Sequence, residues 1–461
     1  MTPSSQPEQP IPYEQCLELL WGRGHELHGE KFGLEPIQTI LAALGHPERR
    51  YPTAIVAGTN GKGSTCAMLA AILDHSGYKT GLYTSPHLVR VNERMRVRGE
   101  DISDSNFALE FTRVYRQAEE LVATRALAKH PSFFEYLTAT AFLHFAHAAI
   151  DFAVLEVGMG GRLDATNVVD PCVAVITNVD LDHQQFLGTT HAAIAAEKAG
   201  VIKPGKPIIS GCEHPDARAV ISRRSCELGA PLVETHGLDG ISNLLYRNGH
   251  YTFDLNLEGC PLRGVSLSLP GSFQIKNAAV AATAAWHLAR QGFRIPCEAI
   301  RLGLQSASWP GRLEATLKNP LLLLDGAHNP AAASELAGYV RQHLSGRRLR
   351  LVYGSMRDKA IGEITSLLFP LAETVILTRP QADRAALPEE ILANSSMDSS
   401  KVIIEPDPVR AVERALLCSS PEDVVLAAGS LFLVGAIKKA IQEGNLVLNG
   451  MARPALLSEC C

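Results

Sequence analysis

Thr53-Ala54-Ile55-Val56-Ala57-Gly58-Thr59-Asn60-Gly61-Lys62-Gly63-Ser64 decides how the rest of the chain is read. An apolar run with no polar face is what a strand covered on both sides requires, and the glycine turn after it leads into a helix predicted from about Lys62 to Ser76. At such a junction glycines let backbone N–H groups converge on phosphate oxygens, and the helix N-terminus adds positive potential. Lys62 then reaches the outer phosphates and the Ser64 hydroxyl can ligate Mg2+. The spacing departs from G-x-x-x-x-G-K-[ST]: two residues separate Gly58 from Gly61, and Gly63 follows the lysine. A plain glycine turn with a solvated lysine is the bland alternative.

Working outward, DFAVLEVG and CVAVITNV are further continuous apolar strands, and SDSNFALEFTRVYRQAEELVATRALAKH and SFFEYLTATAFLHFAHAAI are long helices. This pattern predicts an α/β fold with a mainly parallel sheet in an N-terminal P-loop-type ATPase domain. Residues 231–269 alternate in short stretches between Gly and Asn turns and predict a small antiparallel insertion. Ser-Ala-Ser-Trp-Pro-Gly at 306–311 is a linker signal. After it, LLLLDGA, LRLVYGSM, ETVILT, KVIIEP and DVVLAAGS predict a second, Rossmann-like α/β domain. The expected division is 1–305, a linker at 306–311, and 312–461, with 1–12 and 450–461 loose.

At 461 residues the chain is long enough for two to four domains. A formal net charge of −5 supplies no basic field, so nucleic acid is excluded as a partner and an anionic ligand needs a local site. The most apolar stretch is broken by His144, His147 and Asp151, which argues against a membrane span. The opening MTPSSQPEQPIP has no apolar core of a signal peptide, and the ten cysteines form no Cys-x-x-Cys pair. Reduced core thiols such as Cys66 and Cys172, rather than a disulfide framework, and a cytoplasmic location are expected. The Cys460-Cys461 end is not a C-a-a-X box.

Gly158-Met159-Gly160-Gly161 fails as a dinucleotide fingerprint, because its sixth position is Leu163 and LDATNVVDP is too short for a crossover helix. Glu156 near one strand end and Asp182-His183 after the next would share the sheet's C-terminal edge with the glycine cradle. Oxygen ligands plus an imidazole beside phosphates suit Mg2+. Taken alone, His183 reads as a capping or surface histidine.

GTNGKGS, TSPHL, LEVGMGGRLDATNVV, TNVDLDH, EKAG, PGR and DGAHNP, in this order, resemble folylpolyglutamate synthase, including the bifunctional bacterial form that is also dihydrofolate synthase. The resemblance runs from about Gly33 to Gly429 and extends to the Mur ligases. It implies an ATP-dependent ligase in which a folate carboxylate takes the γ-phosphate, and the resulting acyl phosphate is attacked by the amine of L-glutamate. It places Gly61, Lys62, Gly63 and Ser64 on ATP phosphates, and Ser64, Ser85, Glu156 and His183 around Mg2+. Asn277, Arg312 and Asp325 are implied as further ATP contacts, and His328 and Ser430 as the glutamate side. Phe32-Gly33-Leu34, Phe134-Glu135 and Leu163-Asp164-Ala165 are implied on the pterin side of the pteroate or folate. Lys198 of EKAG is implied to carry a carbamate that ligates a second Mg2+, so that Lys62, Lys198 and His183 form the catalytic group. A monomer is expected. From the residues alone, Arg312 reads equally as a linker arginine, Asp325 as a helix cap, Phe133 and Phe134 as core, and Lys198 as a solvated helix-end lysine. Two other functions stay open: a Mur-type ligase acting on a UDP-sugar peptide, and a module that binds ATP without ligation.

Overall fold

The computed structural model describes residues 9–24, 33–235, 237, 238, 240–247 and 249–446. Eight strands make the first sheet: β1 (Thr53–Ala57), β2 (Thr80–Tyr83), β3 (Met95–Val97), β4 (Glu100–Asp101), β5 (Phe152–Glu156), β6 (Val173–Ile176), β7 (Ile208–Ser210) and β8 (Leu232–Glu234). Their order is β4-β3-β2-β5-β1-β6-β7-β8. The run from β2 to β8 is parallel, whereas β3 and β4 add an antiparallel edge.

Central β1 is buried at every residue, as its unbroken apolar sequence requires. Ile55 and Ala57 face one side with Tyr83, Leu155 and Ile176, in the core of helices Asp104–Ala123 and Phe133–His147. Ala54 and Val56 face the other side with Leu82, Val154 and Val175, in the core of helices Lys62–His75 and Phe273–Arg290. Register pairs Val56 with Glu156 and Ala57 with Ile176, so the loops after β1, β5 and β6 open at one edge. In a parallel sheet that edge is where ligands bind.

Three expectations need correcting. The helix read as running toward His130 stops at Ala123, and Arg125 turns left-handed with φ 62°. Leu232–Glu234 does not belong to the antiparallel insertion. It follows helix Pro215–Glu227 and pairs parallel with β7, the ordinary outcome of a helical crossover. The insertion is therefore β9 (Ile241–Arg247), β10 (His250–Leu257) and β11 (Cys260–Leu267). Lastly, Cys260 and Cys297 are disulfide-bonded, joining the insertion to helix Cys297–Ser306, whereas Cys66 and Cys172 are free thiols. Separated by 37 residues, the pair has no motif spacing, and only packing brings it together.

The expected linker begins a residue too early, since Ser306 closes helix Cys297–Ser306 and only 307–311 lie outside it. Beyond this stretch lie β12 (Glu314–Lys318), β13 (Leu321–Leu324), β14 (Leu349–Tyr353), β15 (Thr374–Leu377), β16 (Val402–Ile404) and β17 (Val424–Ala428), ordered β12-β13-β17-β14-β15-β16. All pairings are parallel except β12 with β13, an edge hairpin that the apolar pattern did not reveal. The molecule is thus a two-domain α/β protein with a mainly parallel sheet in each half. No helix among the described residues is long and apolar enough to cross a membrane. Within the apolar stretch singled out above, the His147 imidazole lies 2.9 Å from Glu110.

Candidate active site

A cleft of ≈1320 Å3 lies between the two sheets, and the C-terminal loops of β1, β5, β6, β13, β14 and β17 all reach it. The glycine loop after β1 forms its floor. Gly61 has φ 80°, and a Cβ there would sit 2.3 Å from Asn277 Oδ1, so conformation and space both demand glycine. A Cβ on Gly63 would meet the Trp309 ring at 2.4 Å, placing the linker directly on the cradle. The loop is held from below: Asn178 Oδ1 accepts from the Thr59 and Asn60 N–H groups at 3.1 and 2.8 Å. Thr177 Oγ1 donates to the Asn60 carbonyl at 2.6 Å. Lys62 Nζ folds back onto the carbonyls of Gly58 (3.1 Å) and Thr59 (3.2 Å). Ser64 Oγ accepts from Gln274 Nε2 (3.1 Å), and Gln274 Oε1 accepts from Asn277 Nδ2 (2.9 Å).

Ser64, Ser85, Glu156, His183 and Lys198 line this same cleft. Glu156, 4% exposed at the end of β5, accepts from the Ser85 N–H at 3.0 Å. His183, in a left-handed conformation, has its imidazole pushed down to about 4 by burial, with Asp182 opposing and nearby lysines assisting the shift. The imidazole is therefore neutral at physiological pH, the form in which its nitrogen can accept a metal. Lys198 is 3% exposed, not solvated, and its Nζ donates to the Gly58 carbonyl at 2.7 Å. No group of three or more His, Cys, Asp or Glu among the described residues is arranged to hold a metal alone. Two hydroxyls, one carboxylate and one neutral imidazole at a phosphate cradle nevertheless fit Mg2+, which keeps waters and takes phosphate oxygens.

The opposite wall belongs to the second sheet. Arg312 donates to the Gly311 carbonyl (3.1 Å). Asp325 accepts from the N–H groups of Leu313 (2.9 Å) and Ala327 (2.8 Å). Burial pushes its carboxyl above the usual range, against the pull of Arg312 and both N–H groups. Asp325 thus braces the turn that presents Arg312; it caps no helix, since Asn329 is the N-cap of helix Pro330–His343. His328 Nδ1 donates to the Gly326 carbonyl (2.8 Å), and burial pushes its imidazole down to about 4. Ser430 caps helix Leu431–Gln442 by accepting from the Phe432 N–H (3.1 Å).

Asn60, Asp182, Asn329 and Lys359 close a polar chain across the cleft; the sequence placed Asp182 at the sheet edge among oxygen donors, but not its engagement by Asn329 and Lys359. Asn60 and Asn329 exchange two amide hydrogen bonds (3.2 and 2.9 Å), Asn329 Nδ2 donates to Asp182 Oδ2 (3.1 Å), and Lys359 Nζ donates to Asp182 Oδ1 (2.8 Å). Burial alone would raise the Asp182 carboxyl, but Lys359 and the two histidines hold it well below the carboxylate range. The available signal was positional: Lys359 follows β14 and Asn329 follows β13, both at C-terminal strand ends.

The residues expected on the pterin side separate. Gly33, Phe134, Glu135, Leu163, Asp164 and Ala165 line the cleft, but Leu34 does not, being the N-cap of helix Glu35–Ala43. Phe32 lies outside the described residues. Phe134 packs over Gly158, where an added Cβ would stand 2.8 Å from its ring. The Glu135 carboxylate accepts from the N–H and hydroxyl of Ser132 (both 2.8 Å) in a capping box. Asp164 accepts from the N–H groups of Met159 and Thr166 (both 3.0 Å), shaping the glycine loop after β5. Phe133 is core, 2% exposed and stacked on Trp21.

Comparison with known proteins agrees with the two-domain architecture. Residues 56–285 match the Mur ligase middle domain, and residues 311–431 match the Mur ligase, glutamate ligase domain. The chain is 35% identical over 425 residues to the dihydrofolate synthase/folylpolyglutamate synthase of Bacillus subtilis, an alignment covering 92% of this chain and 98% of that one. Escherichia coli FolC in complex with DHPP and ADP superposes with a TM-score of 0.81 at 32% identity, over 95% of this chain and 100% of that one. The bifunctional folylpolyglutamate synthase/dihydrofolate synthase of Yersinia pestis, complexed with AMPPNP and Mn ion, gives a TM-score of 0.78 at 32% identity, over 95% and 100%. Fold and cleft together define an ATP-dependent ligase of the Mur type. The chain belongs to the dihydrofolate synthase/folylpolyglutamate synthase family.

Proposed function

We propose that this protein joins L-glutamate to dihydropteroate, to the γ-carboxyl of tetrahydrofolate polyglutamates, or to both, using ATP. The observation that carries the reading is the convergence of a phosphate cradle, an oxygen-rich donor set and the Arg312–His328 wall on one cleft. Gly61, Lys62, Gly63 and Ser64 bind the ATP phosphates, with Asn277 beside them and Arg312, braced by Asp325, reaching from the second domain. A carboxylate oxygen of the folate attacks the γ-phosphorus and ADP leaves. The glutamate amine then attacks the acyl carbon, expelling phosphate. Phe134, Glu135, Gly33 and the Leu163–Ala165 turn shape the pteroate end, and His328 and Ser430 shape the glutamate end.

Ser64, Ser85, Glu156 and His183 would hold Mg2+, which supplies charge neutralisation on the phosphates. Lys198 adds to the same proposal. A free ammonium beside a metal and a triphosphate is repulsive to the metal, whereas CO2 addition to the neutral amine, with loss of one proton, yields an anionic oxygen ligand for a second Mg2+. All the residues used here come from one chain, so a monomer suffices.

The test is phosphate release by purified protein given ATP with dihydropteroate or tetrahydrofolate, with and without glutamate. Release requiring both co-substrates is expected. Release indifferent to either, or none with any pteroate, would defeat the reading.

A further inference from the structure

Helix Pro330–His343 is held to the N-terminal half at both of its ends. At the near end its cap Asn329 pairs with Asn60 of the phosphate loop and donates to Asp182, which also takes Lys359. At the far end His343, in the last turn, is hydrogen-bonded to Tyr251 Oη (2.7 Å) and lies 3.8 Å from the Tyr246 ring centroid. Tyr246 and Tyr251 belong to β9 and β10, the antiparallel insertion. Fourteen residues of helix put the two attachments roughly 21 Å apart.

A helix tied at one end can pivot; tied at both ends it fixes the orientation of everything rigidly attached to it. His328 lies immediately before its cap, and the side chains of Lys359 and Asp182 are only 8% and 10% exposed. Losing either partner of such a buried pair leaves the other charge uncompensated. The insertion thereby supplies the far attachment.

We propose that helix Pro330–His343 is a two-ended strut whose attachments hold the glutamate-side wall against the phosphate loop, making Asn329, Lys359, His343 and Tyr251 positioning residues for ligation. The inference rests on the ligase reading above. A strut that holds the cleft shut keeps water from the acyl phosphate, so its failure shows as phosphate released without an amide bond formed.

The experiment measures phosphate and amide product side by side for wild type, His343→Ala, Tyr251→Phe, Lys359→Met and Lys359→Arg, with ATP, glutamate and tetrahydrofolate. Wild type should release one phosphate per amide. His343→Ala touches no substrate, yet should raise that ratio about fivefold, the effect of one lost interdomain hydrogen bond. Lys359→Met should raise it about tenfold or more, and Lys359→Arg should restore it to within about twofold. An unchanged ratio in both His343→Ala and Lys359→Met, in proteins that melt with wild type, would overturn the strut. Small-angle scattering of the ligand-free proteins reads the same device without chemistry. A larger radius of gyration in His343→Ala than in wild type is expected, and identical values would overturn the proposal. Absence of amide from wild type would overturn the ligase reading, leaving scattering to judge the strut.

Discussion

Gly63→Ala tests the contact between linker and cradle. The added methyl would lie 2.4 and 2.6 Å from Trp309 Cζ2 and Cε2, while ordinary contact begins at 3.4 Å, so the indole must withdraw by about 1 Å. Withdrawal disturbs the packing of Trp309 against the core of helices Lys62–His75 and Phe273–Arg290 and its contact with Arg96, 5.6 Å from the ring centroid. Overpacking of this kind costs about 1–3 kcal/mol. Gly63 is helical, so alanine recovers up to about 1 kcal/mol of helix propensity. The net destabilisation should be about 1 kcal/mol. Because the displaced ring carries the linker and Arg312 with it, the KM for ATP should rise about tenfold, as expected when a positioning group moves by an ångström. Denaturant titration measures the first quantity and initial rates the second. Trp309→Leu should relieve the clash, so in the double variant Gly63→Ala should cost much less than it does alone. A Gly63→Ala protein more stable than wild type with unchanged KM, or a double variant showing strictly additive losses, would refute the argument.

Lys62→Ala should lower turnover about a thousandfold while melting within a few degrees of wild type, since its point charge serves the transferring phosphoryl group rather than the fold; near-normal single-turnover phosphate release would remove GTNGKGS from the ATP site. Arg312→Ala should weaken ATP binding by about 2 kcal/mol in titration calorimetry, the worth of a charge-assisted contact; unchanged affinity would place ATP on one domain alone. Lys198→Ala should lose activity and regain part of it with added acetate, and wild-type activity should fade on CO2 depletion; indifference to both would discard the carbamate and leave the ligase assignment intact.

The first fold was legible because its strands are buried on both faces: TAIVA, DFAVLE and CVAVI have no polar side to misread, and the glycine turn marks which end of the sheet is open. Short or edge strands were not legible. Glu314–Lys318 is an edge strand with no fully buried residue and so has no apolar face to mark it, and Leu232–Glu234 carries too few residues for its pattern to distinguish a parallel from an antiparallel neighbour. The same contrast runs through the site. Lys62 and Ser64 open the helix after β1, Glu156 ends β5 and His183 follows β6, so the parallel register of these strands brings them to one cleft. Glu135 and Asp164 carry the residue types of a binding site but spend their carboxylates on backbone N–H groups. Single bonds of the Asn60–Asn329–Asp182–Lys359 chain join residues 269 and 177 positions apart and depend on how the two sheets dock, which no local pattern encodes.

The central claim is that the pteroate or folate carboxylate, not glutamate or water, accepts the γ-phosphoryl group in this cleft. Oxygen-isotope transfer tests it most directly. Dihydropteroate or tetrahydrofolate labelled with 18O in the reacting carboxylate is turned over with ATP and glutamate, and the released phosphate is analysed by mass spectrometry. The account predicts one 18O atom in phosphate for each amide bond formed, because the oxygen that attacks phosphorus leaves with it. Amide formation with unlabelled phosphate would contradict it.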